Sequence, residues 1–360
     1  MRYKIHGGRL ASVLLASSMM AGVSINAFAT SASASSRHAN VACTKAPAKK
    51  VAIIDLLAAS PIDFLTDQAS EAAINELGWT YTFNDSGYVA ATANADILAA
   101  VAAKVDLIIT TSWDAAGISV GLAAAHSAGI PVVETAAGNL PAVGNGPHQF
   151  AAMYGENETV MGQILAKYIV THVKNANVAD LWTNANYAGV LRQNAIVKVV
   201  SGSKPAKIGF SVNANLTAPQ ANIQAAFAAD PKINSIYLIF DNMNVAAAAE
   251  LRTLHKQNVK IYGYFTEASN LALMRSGQIA ALATDNLPKT GIVAVDQFLN
   301  VSVRHQAWNQ HAVAAAGGLQ YTVVTKPINP FNLNATMAPF VKIWHAEGFC
   351  TYGIGQLTHQ

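Results

Sequence analysis

From residue 50 to about residue 325 the chain repeats one rhythm. Short, almost continuously apolar runs rich in Val and Ile alternate with Ala-rich stretches of helical period. The first runs cover 51–57, 79–83, 105–111 and 130–133, and the stretches between them cover 63–77, 91–103 and 115–127. In the stretch 63–77, Ala69, Ala72, Ala73, Ile74 and Leu77 form one apolar stripe at i, i+3, i+4 spacing. Gly78 and Gly129 stand where helix C-caps belong, just before the next run. Strand starts recur about every 25 residues, the length of a strand, a turn and a crossover helix. Strands that are apolar throughout are covered on both faces, so the pattern predicts parallel sheets flanked by helices.

The rhythm breaks at 137–147, where Gly138, Pro141, Gly144, Gly146 and Pro147 cluster, and then restarts. Helices are expected at 156–174, 189–200, 218–229, 243–257, 268–276 and 290–303. Strands are expected at 179–183, 207–212, 236–240, 260–264, 280–284 and 320–325. The tail carries Pro327, Pro330 and Pro339 and one short helical patch at 340–345. A chain of 360 residues exceeds one ordinary core, and two successive β/α blocks read as two doubly wound α/β lobes.

Charge narrows the partners. The chain has 23 Lys+Arg and 20 Asp+Glu, but Arg2, Lys4 and Arg9 lie in an acid-free segment, residues 1–29. Without that segment the two signs balance, which leaves no basic face for nucleic acid. The segment itself has a basic start, an apolar stretch at 10–23 and a small-residue site, Ala27-Phe28-Ala29, the three parts of a secretory signal. The stretch is shorter than the ~20 residues of a spanning helix. The expected mature chain begins near Thr30, is periplasmic and carries no lipid anchor, with 30–49 as a flexible lead-in. An oxidising compartment permits a bridge between Cys43 and Cys350, the only two cysteines, or leaves them as free thiols.

Ligands on open α/β sheets sit beyond the carboxyl ends of the strands. Those ends deliver Ser60, Pro61 and Phe64; Ser112, Trp113 and Asp114; Glu134; Asn184 and Arg192; Asp241; Phe265 and Glu267; and Asp285 and Asn286. Amides, hydroxyls, carboxylates and flat rings suit a neutral polyhydroxylated ligand. Trp113 would stack on it or plug the core; Asp114 and Asp241 would bind it or cap helices. No cofactor is implied, and the ten histidines show no metal-ligand spacing. Gly117-Ile118-Ser119-Val120-Gly121 matches the pattern of a hydrolase nucleophile elbow, but Ser119 falls inside a helical stretch rather than in the turn after a strand. A secreted serine hydrolase is thus the remote alternative, and the expectation is a protein that is not an enzyme.

The order of these landmarks resembles the type I periplasmic binding proteins, in particular the sugar-binding, ribose-like receptors of ABC importers. The resemblance covers roughly residues 50–325. It rests on Ser60-Pro61 with Phe64, Gly129-Ile130-Pro131-Val132-Val133, Arg192, Ile239-Phe240-Asp241-Asn242-Met243, Ile261-Tyr262-Gly263-Tyr264, and Asn286-Leu287-Pro288 before Gly291. It implies two lobes, 50–151 plus 289–319 and 154–285 plus 321–346, with a tail at 347–360. Three crossovers near 151–154, 285–288 and 320–325 would form the hinge. By position, Phe64, Arg192, Asp241 and Asn286 would face the cleft, joined by Trp113, Asp114 and Phe265 from the strand-end reading. Where the family carries an Asp-Arg pair after the fourth strand, this chain has Ala136-Ala137, and Phe265 stands in place of another Asp. The departures point to a neutral sugar or polyol with fewer hydroxyls than an aldohexose. The implied partners are that ligand and ABC permease subunits, with the receptor a monomer; a receptor feeding a membrane sensor kinase or chemoreceptor is the alternative.

Overall fold

The computed structural model describes residues 43–137, 143–184, 187–216 and 218–353. The expected signal at 1–29, most of the lead-in and the end of the tail lie outside them. The first block runs β1 (Lys50–Asp55), α1 (Pro61–Glu76), β2 (Thr80–Asp85), α2 (Ala90–Ala102), β3 (Leu107–Thr111), α3 (Ser119–Ser127), β4 (Val132–Ala137) and β5 (Ala152–Glu156). The second runs α4 (Glu158–His172), β6 (Asn177–Trp182), α5 (Tyr187–Ser201), β7 (Lys207–Asn213), α6 (Gln220–Ala229), β8 (Ser235–Leu238), α7 (Met243–Thr253), β9 (Lys260–Tyr264), α8 (Ala268–Arg275) and β10 (Ile279–Thr284). The chain ends with α9 (Lys289–Arg304), α10 (Ala312–Ala315), β11 (Thr322–Val324) and α11 (Leu333–Ala346).

Two sheets result, ordered β2-β1-β3-β4-β5 and β11-β10-β9-β8-β6-β7. Every strand pair is parallel except β10 with β11. The expected doubly wound architecture is therefore present in both lobes. All five residues of β3 are buried, Thr110 and Thr111 included, as a strand covered on both faces requires. One face of the first sheet packs through Ile53, Ile109 and Val133 against Ile74, Ile292 and Phe298 of α1 and α9. The other packs against Ile97 of α2 and Leu122 of α3. Another core joins α4 to α8 around the second sheet and reaches Ile62 and Ala136 of the first lobe.

Gly78 and Gly129 end α1 and α3 as expected. Each has φ near +70° (66° and 70°), where a Cβ would be strained. Around Gly78, Trp79 N–H bonds Ile74 O and Gly78 N–H bonds Asn75 O, the two bonds of a Schellman cap.

Four expectations change. The segment 151–154 is not a crossover: residues 152–156 form β5, with Ala152 opposite Val133, so the first lobe extends to Glu156. The tail patch at 340–345 is the second half of α11, which starts at Leu333 under an Asn332 side-chain cap and runs through Pro339. The resemblance places this helix with the second lobe, but Met337, Phe340 and Trp344 pack into the first-lobe core, and Trp344 Nε1 donates to Asp296 of α9 at 3.0 Å. Only β11 of that group joins the second sheet, so among the described residues the chain passes between lobes four times, not three. Finally, the lead-in is fixed from Cys43 onward. Cys43 and Cys350 are bridged with Cα atoms 4.9 Å apart, Cys350 N donates to Thr44 O at 3.0 Å, and Ala46 is buried.

Candidate functional site

The carboxyl ends of the two sheets face each other across a cleft beside the hinge. Ser60, Asp63, Ser112 and Ala136 come from the first lobe, Arg192, Phe240 and Phe265 from the second, and Glu156 and Glu158 from the segment joining them. Ser112 and Phe265, directly after β3 and β9, and Ala136, in the last two residues of β4, have φ of 63°, 59° and 74°. Left-handed backbone costs an L-residue about 1–2 kcal/mol. Strained turns at three strand ends that converge on one cavity mark it as the place where the fold gives up stability for shape.

Arg192 is the centre of the site. It lies on α5, which approaches α4 closely because Gly162 has no side chain; a Cβ there would sit 2.8 Å from the Arg192 carbonyl oxygen. The guanidinium is 2% exposed. Its Nε donates to Glu158 at 2.6 Å, one terminal nitrogen donates to Ile239 O at 2.9 Å, and the other donates to Glu156. Tyr264, Phe240 and Phe265 enclose it, with the Tyr264 ring centroid 4.2 Å away. Burial opposes its charge, but Glu158 and Glu156 outweigh that and hold it protonated.

Carboxyl groups fill the rest. Asp63 accepts from Ser112 Oγ at 2.7 Å, and burial, aided by Asp241, pushes it up to about 7. Asp55, at the end of β1, is pushed up to about 8 by burial and by Asp63. Burial, with Glu158 as a neighbour, raises Asp285 to about 7, and Glu156 stands well above the carboxylate range for the same reasons. Asp67 accepts from Thr111 Oγ1 at 2.6 Å, and Thr110 donates to Glu134, so hydroxyls of β3 hold the carboxyls behind the cleft.

The lobes touch. Asp241, beyond β8, reaches the N-terminus of α1 in the opposite lobe, accepting from Ile62 N at 3.4 Å and Ser60 Oγ at 3.5 Å. Ser60 makes no side-chain cap of its own there, so Asp241 supplies the anion that a helix N-terminus favours. At the rim, Asp114 of the first lobe accepts from Tyr187 N of the second at 2.8 Å. The enclosed cavity is about 30 Å³, room for about two waters. As it stands the cavity is too small for a sugar-sized molecule.

Of the residues expected from sequence, Asp114, Arg192 and Phe265 line this cavity. Asp241 stands beside it as the contact between lobes. Phe64 instead meets Phe83 edge-on at 6.4 Å and lines a neighbouring cavity of about 370 Å³ with Pro61, Thr266 and Phe331. Trp113 is 6% exposed and belongs to the core under α2 and α3, its ring against Gly117. Asn286 sits half-buried in the hinge, its Oδ1 without a partner. Ser119 opens α3, and the loop 112–118 separates it from β3, so the elbow geometry is not met. Sequence reasoning missed Asp63, Glu156 and Glu158 as cleft residues. The signal available for the last two was a pair of acids flanking one Asn at a strand-to-helix junction.

Residues 57–303 match the periplasmic binding protein domain family. No curated sequence matches the chain. Among solved structures, an ABC transporter solute-binding protein from Bacillus halodurans with bound myo-inositol is 17% identical, with a TM-score of 0.63, over 81% of this chain and 97% of that one. A periplasmic solute-binding protein from Actinobacillus succinogenes with bound D-allose is 18% identical, with a TM-score of 0.64, over 77% and 98%. A galactofuranose-binding protein is 13% identical, with a TM-score of 0.67, over 84% and 100%. At these identities the likeness is one of fold.

Proposed function

Because the chain belongs to the periplasmic binding protein domain family, we propose that it is an exported solute receptor that captures a small carbohydrate or polyol between its lobes and delivers it to an ABC permease. The observation that carries the reading is the polar cavity at the hinge, where strand ends of both lobes converge and Asp241 joins one lobe to the other. Such a cavity is hidden when the lobes meet and open when they part, which is the cycle of capture and release. The sugar, inositol and furanose ligands named for its structural neighbours support the solute class. In this reading residues 1–29 direct export to the periplasm and are removed, and the receptor works as a monomer.

A thermal-shift screen across sugars, polyols, nucleosides and amino acids tests it. A ligand at 100 times its dissociation constant adds about 2.7 kcal/mol, so the expected result is a clear rise in Tm with a carbohydrate or polyol. Shifts confined to nucleosides or amino acids would contradict the solute class.

A further inference from the structure

The chemistry of the cleft lining narrows the solute, given the proposed function as its basis. A neutral sugar hydroxyl both donates and accepts, so a site for it alternates donors with acceptors. This lining does not alternate. Asp63, Asp114, Glu156 and Glu158 are acceptors when ionised, and Arg192 is the one cation among the lining residues. Each nitrogen of Arg192 already donates, to Glu158, Glu156 or the Ile239 carbonyl, which leaves at most two of its five N–H groups for a ligand. The hydroxyls in the lining are those of Ser60 and Ser112, and each already points at a carboxylate.

A second observation points the same way. Glu156 is 2% exposed and lines the cavity, yet no N–H or hydroxyl donates to its Oε2. Behind it Asp285 meets Glu156 carboxyl to carboxyl, close enough to share a proton, and its one other hydrogen-bond donor is the backbone of Leu287. Across the cleft, Asp241 and Glu267 are paired in the same way. Buried carboxyls set against one another are costly unless a proton or another cation neutralises them. A protonated amine brings three donors, needs no acceptor role in return, and supplies the missing charge.

We infer that the cleft selects a solute carrying a protonated amine, an amino sugar or an amine-bearing polyol, with its ammonium group among Asp63, Glu156 and Glu158. The hydroxyls of such a ligand would use the remaining carboxylate oxygens and the two serines. Its ring would lie against Phe240 and Phe265.

Calorimetry on the exported protein at pH 7 tests this with matched probes: glucosamine against glucose and N-acetylglucosamine, galactosamine against galactose, and spermidine as a cation without hydroxyls. The expected result is an amino sugar bound at least tenfold tighter than its parent and than its acetylated form. Asp63→Asn, which keeps the shape, should shrink that preference severalfold. A parent sugar bound as tightly as its amino form, or a preference untouched by Asp63→Asn, would overturn the inference and leave the carbohydrate reading standing. Spermidine binding with no sugar of either kind would overturn the polyol assignment and the proposed function together, as would no binding by any probe.

Discussion

Asp241 is read from sequence as a ligand carboxylate or a cap for α7, and in the folded chain it caps a different helix in the other lobe. That contact exists only while the lobes are together, so its free energy favours closure whatever the ligand touches. A hydrogen bond to a charged group contributes about 1.5–3 kcal/mol. Lengths of 3.4 and 3.5 Å place this pair at the weak end. Asp241→Ala is therefore expected to weaken ligand binding about tenfold, and Asp241→Asn, which still accepts from Ile62 N, by less. Titration calorimetry on the two variants checks it; equal losses would mean that charge at the site, not the cap, is what matters. Other residues are hidden in the sequence for simple reasons. Asp63 lies in the first turn of α1, where an acid reads as a favourable end charge, and Glu156 reads as the first residue of α4. Burial between lobes is a property of the closed fold and leaves no mark on the local pattern. Trp113 shows the converse, since a large ring at a strand end is as well suited to a core as to a ligand face.

At the level of elements, the alternation from 50 to 284 is legible because strands buried on both faces must be apolar throughout, and their helices must carry stripes. β5 escapes because Ala152-Met153-Tyr154-Gly155 lacks a β-branched residue and runs directly into α4. α11 escapes because Pro339 looks like a break. Its stripe, Met337, Phe340 and Trp344, at i, i+3 and i+7, nevertheless buries against α1 and α9. The helix returns the chain to the lobe where it began and sets Cys350 beside Cys43. Trp344→Ala should therefore cost about 3–5 kcal/mol, as for other buried aromatics. Urea unfolding measures it. A loss under 1 kcal/mol would mean that α11 is an appendage, not part of the first lobe.

For the whole molecule, the buried acids set the response to pH. Asp55, Asp63, Asp180 and Asp285 are raised to about 8, 7, 7 and 7, in each case first by burial. Between the ordinary carboxylate pKa of about 4 and those values, the folded chain binds more protons than the unfolded chain. Its stability is therefore fully present below about pH 4 as far as these groups go, and it is lost as pH rises through 7 to 8. Without ligand, Tm should fall between pH 5 and pH 8; a rise over that range would contradict the burial of these groups. A cationic solute, by replacing the protons, should flatten the slope.

The central claim is that one cleft between two lobes takes the solute and closes on it. Small-angle scattering on the exported protein, with and without the carbohydrate or polyol that gives the largest thermal shift, tests this most directly. The account predicts a smaller radius of gyration at saturation, approaching the value of the closed structure with Asp241 on α1 and Asp114 on Tyr187. Saturable binding with an unchanged radius would contradict it and place the solute elsewhere on the molecule.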